Sequence, residues 1–519
     1  MITPPDSIYR TYEKPAGAGR PNFLILMADQ LSASALSAYG NATCLTPHID
    51  ALAAGGAVFD HFYCNSPLCA PSRFSLMAGQ LPSKIGAYDN AAEFASEVPT
   101  FAHYLRRAGY QCSLSGKMHF CGPDQLHGFE ERLTTDIYPA DFGWTPDWEN
   151  FAVRPSWYHT MNSVTEAGPC IRTNQIDFDD EVVYEARRKL FDIARGKDKR
   201  PFAMVVSMTH PHDPYTIPQA YWDRYQGVDI DRPRVSIPVD ELDAHSRRLR
   251  HVCGLDIQPV NEAQTQSARR AYYGAVSYVD DQIGSLIQAL KDARLADNTV
   301  VMLIADHGDM LGERGLWYKM NFFEPACRIP LIVYHPGRVE PRRIAGSASL
   351  VDILPTLCDL AGIAGTDYAG RLDGESLVPQ LLGKAGRDEV IGEYLAEGAI
   401  APLVMIRRGQ YKFVHSPVDP DQLYDLAVDG DELVNLAADS AHAGLVAAFR
   451  AEIRQRWDLA ALRADVIASQ RRRHLVYQAL RVGSYLAWDY QPRRDAARQY
   501  IRNDQDLNDL EAKARFPRI

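Results

Sequence analysis

Three uninterrupted apolar runs stand out along the chain, and charged or metal-binding residue types follow each of them. The runs cover residues 22–28, 202–207 and 299–305. A strand that is apolar at every position is typical of a parallel sheet that is covered on both faces. Asp29 follows the first run, residues 209–213 (Thr-His-Pro-His-Asp) lie just beyond the second, and residues 306–309 (Asp-His-Gly-Asp) follow the third. Because sites in such sheets lie at the carboxyl ends of the strands, these ends are expected to meet in one crevice.

Segments with apolar residues at helical spacing lie between and beside these runs, at residues 100–108, 180–194 and 267–295. Strands that alternate with helices are typical of layered α/β domains, in which a parallel sheet is covered by the helices that connect its strands. The pattern therefore predicts an α/β domain with a largely parallel central sheet.

Beyond residue 383 the pattern changes to short runs at residues 403–407 and 411–415, which an Arg-Gly-Gln turn joins. They predict a hairpin in a smaller antiparallel unit, with a helix over residues 441–457 packed on it. The expected organisation is a lead over residues 1–20, a main domain over 21–385, an antiparallel-sheet subdomain over 386–462 and a charged tail over 463–519.

Composition narrows the class of protein. The chain has 519 residues with 55 Lys plus Arg against 66 Asp plus Glu, and a net charge of -11 gives no sign of a nucleic-acid partner. The basic run at residues 471–473 is interpreted as a solvated helix face. The first 20 residues lack the apolar core of a secretion signal, and no stretch has the roughly 18 apolar residues of a membrane span. Nine cysteines without a Cys-x-x-Cys pair argue against disulfides and a zinc cluster, so we expect a cytoplasmic protein with reduced thiols.

The sequence Cys69-Ala-Pro-Ser-Arg73 matches the Cys-x-Pro-Ser-Arg signature at which the cysteine of type I sulfatases is oxidised to formylglycine. Taken alone, it also fits a buried cysteine before a turn proline. Residues 79–83 (Gly-Gln-Leu-Pro-Ser) follow where sulfatases usually carry a similar Gly-x-x-Pro segment, and residues 115–144 and 306–323 are similar to choline sulfatases in particular. From about residue 21 to 518 the chain resembles the choline sulfatases of the alkaline phosphatase superfamily. The resemblance implies an alkaline-phosphatase-like sandwich with a smaller C-terminal α+β subdomain and an extended tail.

The resemblance also implies a divalent cation. Its expected ligands are the residues that the family motifs place at the strand ends, together with the modified cysteine: Asp29, Gln30, Cys69, Asp306 and His307. An aldehyde at position 69 hydrates to a diol, and the cation lowers the pKa of one hydroxyl enough for it to act as the nucleophile. Most sulfatases have Asp at position 30, whereas choline sulfatases and phosphonate monoester hydrolases share the Gln. The ligand set leaves calcium and manganese open.

The family motifs carry the remaining catalytic roles. Arg73, Lys117 and Lys319 are expected to surround the sulfuryl oxygens, since preorganised charge is usually the largest catalytic contribution. His212, with Lys319 as a helper, is the expected general acid for the leaving alcohol, and His210 is the alternative. His119 is expected to remove the proton from the second hydroxyl of the sulfated diol, so that elimination returns the aldehyde.

Asp309 is expected to support the site or a turn and not to act on the substrate. Asp306 and His307 are expected to have a function, because charged residues at the end of a buried apolar strand are costly unless they are paired or bind a metal.

A quaternary ammonium group binds best to aromatic faces beside a carboxylate. The resemblance assigns Asn90, Trp144, His159 and Glu397 to this pocket, with Glu397 as the counter-charge. For Trp148 and Trp157, a place in the hydrophobic core is as much expected as a place in this pocket.

In choline sulfatases the C-terminal tail crosses to a neighbouring subunit and brings an acidic residue to its pocket. Here Asn508 aligns with that residue, so either Asp506 or Asp509 replaces it or the preference for an ammonium group is weaker. The tail nevertheless predicts a homo-oligomer, a dimer or a tetramer.

The expected function is hydrolysis of choline O-sulfate to choline and sulfate, after a formylglycine-generating enzyme has modified Cys69. A phosphonate monoester or phosphodiester hydrolase and a sulfatase for a related small sulfate ester are the alternatives within the superfamily. A binding protein that keeps the fold without chemistry is the alternative outside it.

Overall fold

The structure is a computed structural model that describes residues 19–493, 500, 506–511 and 515–517. Its strands are β1 Asn22–Asp29, β2 Ala57–Tyr63, β3 Gln111–Gly116, β4 Glu131–Arg132, β5 Gly168–Cys170, β6 Phe202–Pro211, β7 Thr216–Pro218, β8 Thr299–Ala305, β9 Arg328–Ile329, β10 Leu331–Tyr334, β11 Arg342–Ser349, β12 Glu389–Tyr394, β13 Leu403–Arg408, β14 Tyr411–Ser416 and β15 Asp419–Asp425. Its α-helices are α1 Pro47–Gly55, α2 Cys69–Ala78, α3 Phe101–Arg107, α4 Asn162–Thr165, α5 Asn174–Arg195, α6 Gln219–Trp222, α7 Ala244–Cys253, α8 Glu262–Asp292, α9 Glu324–Cys327, α10 Ile353–Leu360, α11 Val378–Leu381, α12 Ala443–Arg456, α13 Leu459–Leu480 and α14 Leu507–Glu511.

The large sheet has the strand order β11-β2-β10-β8-β1-β6-β3-β4, with β9 paired to β2. Strand β1 lies between β6 and β8 and runs parallel to both, while β10 runs antiparallel to its neighbours. The predicted α/β fold with a largely parallel sheet is therefore confirmed. Strand β6 extends four residues past its predicted end at residue 207 and so carries residues 208–211 to the edge of the site.

Helix ends follow local capping signals that periodicity alone does not show. Helix α5 begins six residues before the predicted start because the Thr173 side chain accepts a hydrogen bond from the backbone N–H of Ile176. Helix α8 begins at Glu262, where Asn261 and Gln264 form a reciprocal capping box. Both helices pack on β6 and on each other, which covers the central strands.

The smaller sheet is antiparallel in the order β12-β13-β14-β15, and the predicted hairpin forms its centre as β13 and β14. Helix α12 covers it with Val446, Phe449 and Ile453. The buried Lys412 on β14 joins this sheet to the main domain, because its ammonium group lies 2.7 Å from a carboxylate oxygen of Glu324.

The tail expected from residue 463 begins inside helix α13, which continues to Leu480. One stripe of this helix is buried, at Leu462, Val466, Gln470 and Arg473. The interpretation of residues 471–473 as a solvated face is wrong for Arg473, which is 6% exposed. No helix in the described part of the chain is long and apolar enough to cross a bilayer.

Candidate active site

The three predicted strand ends meet the first turn of helix α2. Asp29 ends β1, Asp306 and His307 follow β8, and Cys69 is the first residue of α2. One possible ligand atom from each of these four residues lies within 4.8 Å of the others, and all four residues are buried. The Cys69 Sγ is 3.2 Å from His307 Nε2 and 3.9 Å from Asp29 Oδ1.

Two buried cations neutralise the carboxylates of this cluster. Arg73, one turn along α2, places its Nε 2.7 Å from Asp306 Oδ2 and its Nη2 3.3 Å from Asp29 Oδ2. Lys117 forms an ion pair with Asp29. Burial alone would raise the pKa of Asp29, but these cations and His212 outweigh burial and the Cys69 charge and lower it to about 2.

Two glycines allow the backbone to approach closely here. Gly116 precedes Lys117, and a Cβ atom at this position would lie 2.0 Å from the carbonyl oxygen of Ser207 on β6. A Cβ atom at Gly308, next to His307, would lie 2.1 Å from the Pro325 carbonyl oxygen. A larger residue at position 116 would push β3 away from β6, and one at position 308 would displace the backbone of α9, which explains the glycine of the Asp-His-Gly-Asp motif.

The surroundings of Cys69 favour the ionised form of the thiol. Burial opposes ionisation, yet the charges of Lys117, Lys319 and His307 bring the pKa of Cys69 well below its ordinary value. Every residue of helix α2 is buried, so the side chain at position 69 is held in one place. A negatively charged group at this position is therefore stabilised.

Lys319, Gln30 and His212 form a second cluster beside the first. The Lys319 Nζ lies 2.6 Å from Gln30 Oε1 and 2.8 Å from His212 Nε2. The Nδ1 of His212 lies 2.7 Å from the carbonyl oxygen of Asp213. Since Lys319 donates to Nε2, the other ring nitrogen of His212 carries its proton and donates to Asp213.

His210 and Asp309 take different positions from His212. His210 places its Nδ1 2.6 Å from Asp179 Oδ2, and its ring packs against Tyr278, which donates to Asp180. Asp309 accepts hydrogen bonds from Gln30 Nε2 at 2.6 Å and from the Tyr215 hydroxyl at 2.7 Å. The structure thus places His212, and not His210, beside Lys319. Asp309 contacts the amide nitrogen of Gln30, whereas Lys319 contacts its amide oxygen.

His119 is buried beside Cys69, and apart from that thiol neither ring nitrogen has a hydrogen-bond partner among the described residues. Burial lowers its pKa and keeps the imidazole neutral, as a general base requires, although Cys69 opposes this effect. Its backbone adopts a φ of 59°, and Asp136 holds this turn by accepting the backbone N–H groups of Met118 and His119 at 2.9 and 3.0 Å. The ring lies 5.6 Å from the Trp144 ring.

The residues expected to bind the ammonium group have the following contacts. Asn90 Oδ1 accepts the backbone N–H of Ala70 at 3.0 Å, next to Cys69. His159 stacks on Tyr318 with ring centres 4.4 Å apart, and its Nδ1 is 3.6 Å from Asp213 Oδ2. Glu397 is buried, and its Oε2 has no hydrogen-bond partner in the described part of the chain. Burial raises the pKa of Glu397 to about 7, and the nearby Asp89 adds to this effect.

Trp148 lines the same cavity as Glu397, whereas the tail acids lie elsewhere. Trp148 is a core residue whose Nε1 donates to the Ala396 carbonyl oxygen at 3.0 Å. Asp509 Oδ2 lies 3.3 Å from Lys197, which precedes β6 and therefore lies at the end of the strand away from the site. The Asp506 side chain accepts the backbone N–H of Asn508.

Sequence reasoning missed several supporting residues, of which Asp213 is the most central. Its carboxylate lies 3.2 Å from His212 Nδ1 and accepts the Ser163 hydroxyl at 3.0 Å. Burial opposes ionisation, but His212 and His159 lower the pKa of Asp213 far below its ordinary value. Its position directly after His212 was a signal for this role. Tyr138, whose ring faces Lys117 Nζ at 4.2 Å, had no comparable signal in the sequence.

The donor set of the first cluster fits a divalent cation. Two carboxylates and an imidazole converge with position 69 in a buried space, which is a set of donor atoms that divalent cations bind. Oxygen donors suit calcium, and the imidazole also suits manganese. Gln30 turns its amide oxygen towards Lys319, so its role as a ligand stays a prediction.

Comparisons with known proteins agree with this arrangement. Residues 21–363 match the family model described as sulfatase. The choline-sulfatase of Rhizobium meliloti is 48% identical over 509 residues, which cover 96% of this chain and 99% of that protein. The chain belongs to the sulfatase family. Members of this family generally use formylglycine and a divalent metal, and they hydrolyse sulfate esters.

Other matches extend along the sulfatase chain. Residues 464–516 match the model described as choline sulfatase enzyme C terminal, and residues 312–458 match the C-terminal model of N-sulphoglucosamine sulphohydrolase. Arylsulfatase K of Gallus gallus is 27% identical and covers 82% of this chain and 80% of its own. The phosphonate monoester hydrolase of Agrobacterium radiobacter has the same fold, with a TM-score of 0.67, 25% identity and coverage of 86% and 96%. The predicted resemblance to choline sulfatases and the alkaline-phosphatase-like fold are confirmed.

Proposed function

We propose that this sulfatase hydrolyses choline O-sulfate to choline and sulfate by cleavage of the S–O bond. The observation that carries the proposal is the 48% identity to a choline-sulfatase, which extends over 96% of the chain and includes the C-terminal segment. Among sulfatases a full-length match of this kind favours a shared substrate more strongly than a match to the catalytic domain alone.

The candidate pocket supports this choice of substrate. Trimethylammonium has no proton to donate, so its recognition depends on aromatic faces and on a carboxylate that lacks another partner. Trp144 offers an aromatic face beside His119, and Glu397 offers a buried oxygen without a hydrogen-bond partner in the described residues. His159, stacked on Tyr318, forms a further wall.

The catalytic centre supports attack at sulfur. Asp29, Asp306, His307 and position 69 would hold the cation, with Gln30 as a further candidate, and the bound cation would supply positive charge that acidifies the attacking hydroxyl. Residue 69 would act as formylglycine, whose hydrate provides that hydroxyl. Arg73, Lys117 and Lys319 would place positive charge around the sulfuryl oxygens, where charge develops in the transition state.

The proton transfers follow from the contacts of two histidines. His212 and Lys319, 2.8 Å apart, share a proton that can be given to the leaving choline oxygen. Neutral His119 can accept the proton of the second hydroxyl at position 69. The elimination that follows expels sulfate and restores the aldehyde, so the two halves of the reaction use different bases and acids.

Maturation, assembly and location complete the proposal. A formylglycine-generating enzyme would oxidise Cys69, and the C-terminal tail would join copies of the chain into a homo-oligomer. A cytoplasmic location is supported by the nine cysteines, all of which are free thiols.

Steady-state kinetics test the proposal with choline sulfate, para-nitrophenyl sulfate and a phenyl phosphonate monoester. We expect the highest kcat/KM for choline sulfate in protein whose peptide mass shows formylglycine at position 69. A preference for the phosphonate would instead favour a phosphonate monoester hydrolase, the alternative that Gln30 and the shared fold support. Cysteine left unmodified in protein purified from its native host would favour a protein without this chemistry.

A further inference from the structure

The buried stripe of helix α13 changes from apolar to polar along its length. Leu462 and Val466 belong to the hydrophobic core, whereas Gln470 and Arg473 are buried polar residues. The four positions recur every three or four residues and so lie on one face of the helix. Because buried polar groups require partners, the second half of the stripe must bind something specific.

Arg473 binds two separate segments of the main domain. Its Nη1 and Nη2 each lie 2.6 Å from one carboxylate oxygen of Asp89, and its Nη1 also lies 3.1 Å from the Thr145 hydroxyl. The side chains of Arg473 and Asp89 are 7% and 0% exposed. A guanidinium that binds a carboxylate through two parallel hydrogen bonds fixes both the distance and the plane of its partner.

The residues that Arg473 holds are sequence neighbours of the candidate ammonium pocket. Asn90 follows Asp89, and Trp144 precedes Thr145. Asn90 in turn accepts the backbone N–H of Ala70 beside position 69, and Trp144 lies against His119. A single buried side chain on α13 therefore connects the segment that carries Asn90 with the segment that carries Trp144.

Gln470 strengthens the same connection. Its Oε1 accepts the backbone N–H of Trp148 at 3.0 Å, which attaches the segment after Trp144 to α13 at a second point. Arg471, on the neighbouring face, contacts Glu149 of this segment only at the surface, where both side chains are exposed. Of these contacts, only that of Arg473 reaches both segments.

We propose that Arg473 is a positioning residue that sets the separation of Asn90 and Trp144 and thereby determines selectivity for a quaternary ammonium sulfate. The inference rests on the proposed function. Residues 464–516 match the choline sulfatase C-terminal model, and this segment contains Arg473. A residue that acts on selectivity for this substrate, and not on sulfate transfer in general, is expected in such a segment.

The test compares Arg473→Met and Arg473→Lys with the matched control Arg471→Met. Choline sulfate requires the whole pocket, whereas para-nitrophenyl sulfate requires only the sulfuryl site. Since a misplacement of about 1 Å can reduce a rate about 100-fold, we expect Arg473→Met to raise KM for choline sulfate about tenfold or more. We expect its kcat/KM for para-nitrophenyl sulfate to change less than about threefold. Arg473→Lys, which keeps the charge but cannot bind both oxygens, should give an intermediate KM.

A double variant separates positioning from stability. Arg473→Met leaves Asp89 buried without its partner, and this can unfold the protein. Arg473→Gln combined with Asp89→Asn removes both charges, so we expect its Tm to approach that of the wild type while KM for choline sulfate stays raised. A KM that returns to the wild-type value together with Tm would overturn the proposal, and so would equal losses for both substrates.

The outcome also distinguishes this inference from the proposed function. If the wild-type protein fails to hydrolyse choline sulfate, the proposed function is wrong and the pocket assignment falls with it. If the wild type turns over choline sulfate and Arg473→Met behaves like Arg471→Met for both substrates, only the positioning role is wrong.

Discussion

Protonation of Glu397 should control how tightly the protein binds choline sulfate near neutral pH. Burial raises the pKa of this carboxyl from 4.5 to about 7, and Asp89 adds to the shift. The difference corresponds to about 3 kcal/mol that the folded protein must supply to ionise the side chain. A bound trimethylammonium group favours the ionised form and recovers part of this free energy.

The sign and size of the effect follow from this pKa. Below about pH 7 the carboxyl is mostly neutral and offers no counter-charge, whereas above it the carboxylate predominates. If only the ionised protein binds the ammonium group, the apparent affinity falls in proportion to the ionised fraction. KM for choline sulfate should then decrease about tenfold between about pH 6 and pH 8 and become constant at higher pH.

The assay measures KM across this range for choline sulfate and for its uncharged isostere, in which a tert-butyl group replaces trimethylammonium. Both compounds have the same shape and the same sulfate, so the ratio of their KM values isolates the charge. Glu397→Gln should abolish the pH dependence of this ratio and leave KM for the isostere nearly unchanged. A ratio that is independent of pH in the wild type, or one that keeps its slope in Glu397→Gln, would refute the reasoning.

Three further predictions concern the catalytic centre and the tail. Cys69→Ser, which is nearly isosteric, should abolish sulfate release and leave Tm within a few degrees of the wild type, and retained activity would exclude position 69 as the nucleophile. In the wild type, the peptide that contains position 69 should have a mass about 18 Da below that of the cysteine peptide. His212→Gln should reduce kcat for choline sulfate about 100-fold or more and that for para-nitrophenyl sulfate much less, because nitrophenolate leaves without a proton, and equal losses would contradict an acid role. Truncation before Asp504 should raise KM for choline sulfate or dissociate the oligomer in size-exclusion chromatography, and no change in either would exclude the tail from the pocket.

The sequence predicts the elements whose physics is local. A short unbroken apolar run such as residues 22–28 predicts a buried strand, and β1 occupies Asn22–Asp29. The hairpin of β13 and β14 is equally clear from its short turn. Helix starts were less accurate, because α5 begins where the Thr173 side chain caps it and not where the apolar spacing begins.

The site was predictable to the extent that family motifs mark it. Asp29, Cys69, Asp306 and His307 converge as expected because the adjacent strands β1 and β8 end beside the start of helix α2. Arg473 could not be found in this way, since a basic triplet on a charged helix gives no sign that one member is buried. Its partner Asp89 lies 384 positions earlier in the chain, a separation that only the folded structure closes.

The burial of helix α2 would limit when the proposed oxidation of Cys69 can take place. Cys69 is 1% exposed, and no residue of its helix reaches the surface. The formylglycine-generating enzyme proposed above would have to bind this segment while it is an accessible stretch of chain, before the main domain closes around it. Folding and oxidation of Cys69 would then compete in time, and a chain that folded first would become a stable protein that no later supply of the enzyme could activate. The specific activity of a preparation would then record the conditions during its synthesis and not those of its storage.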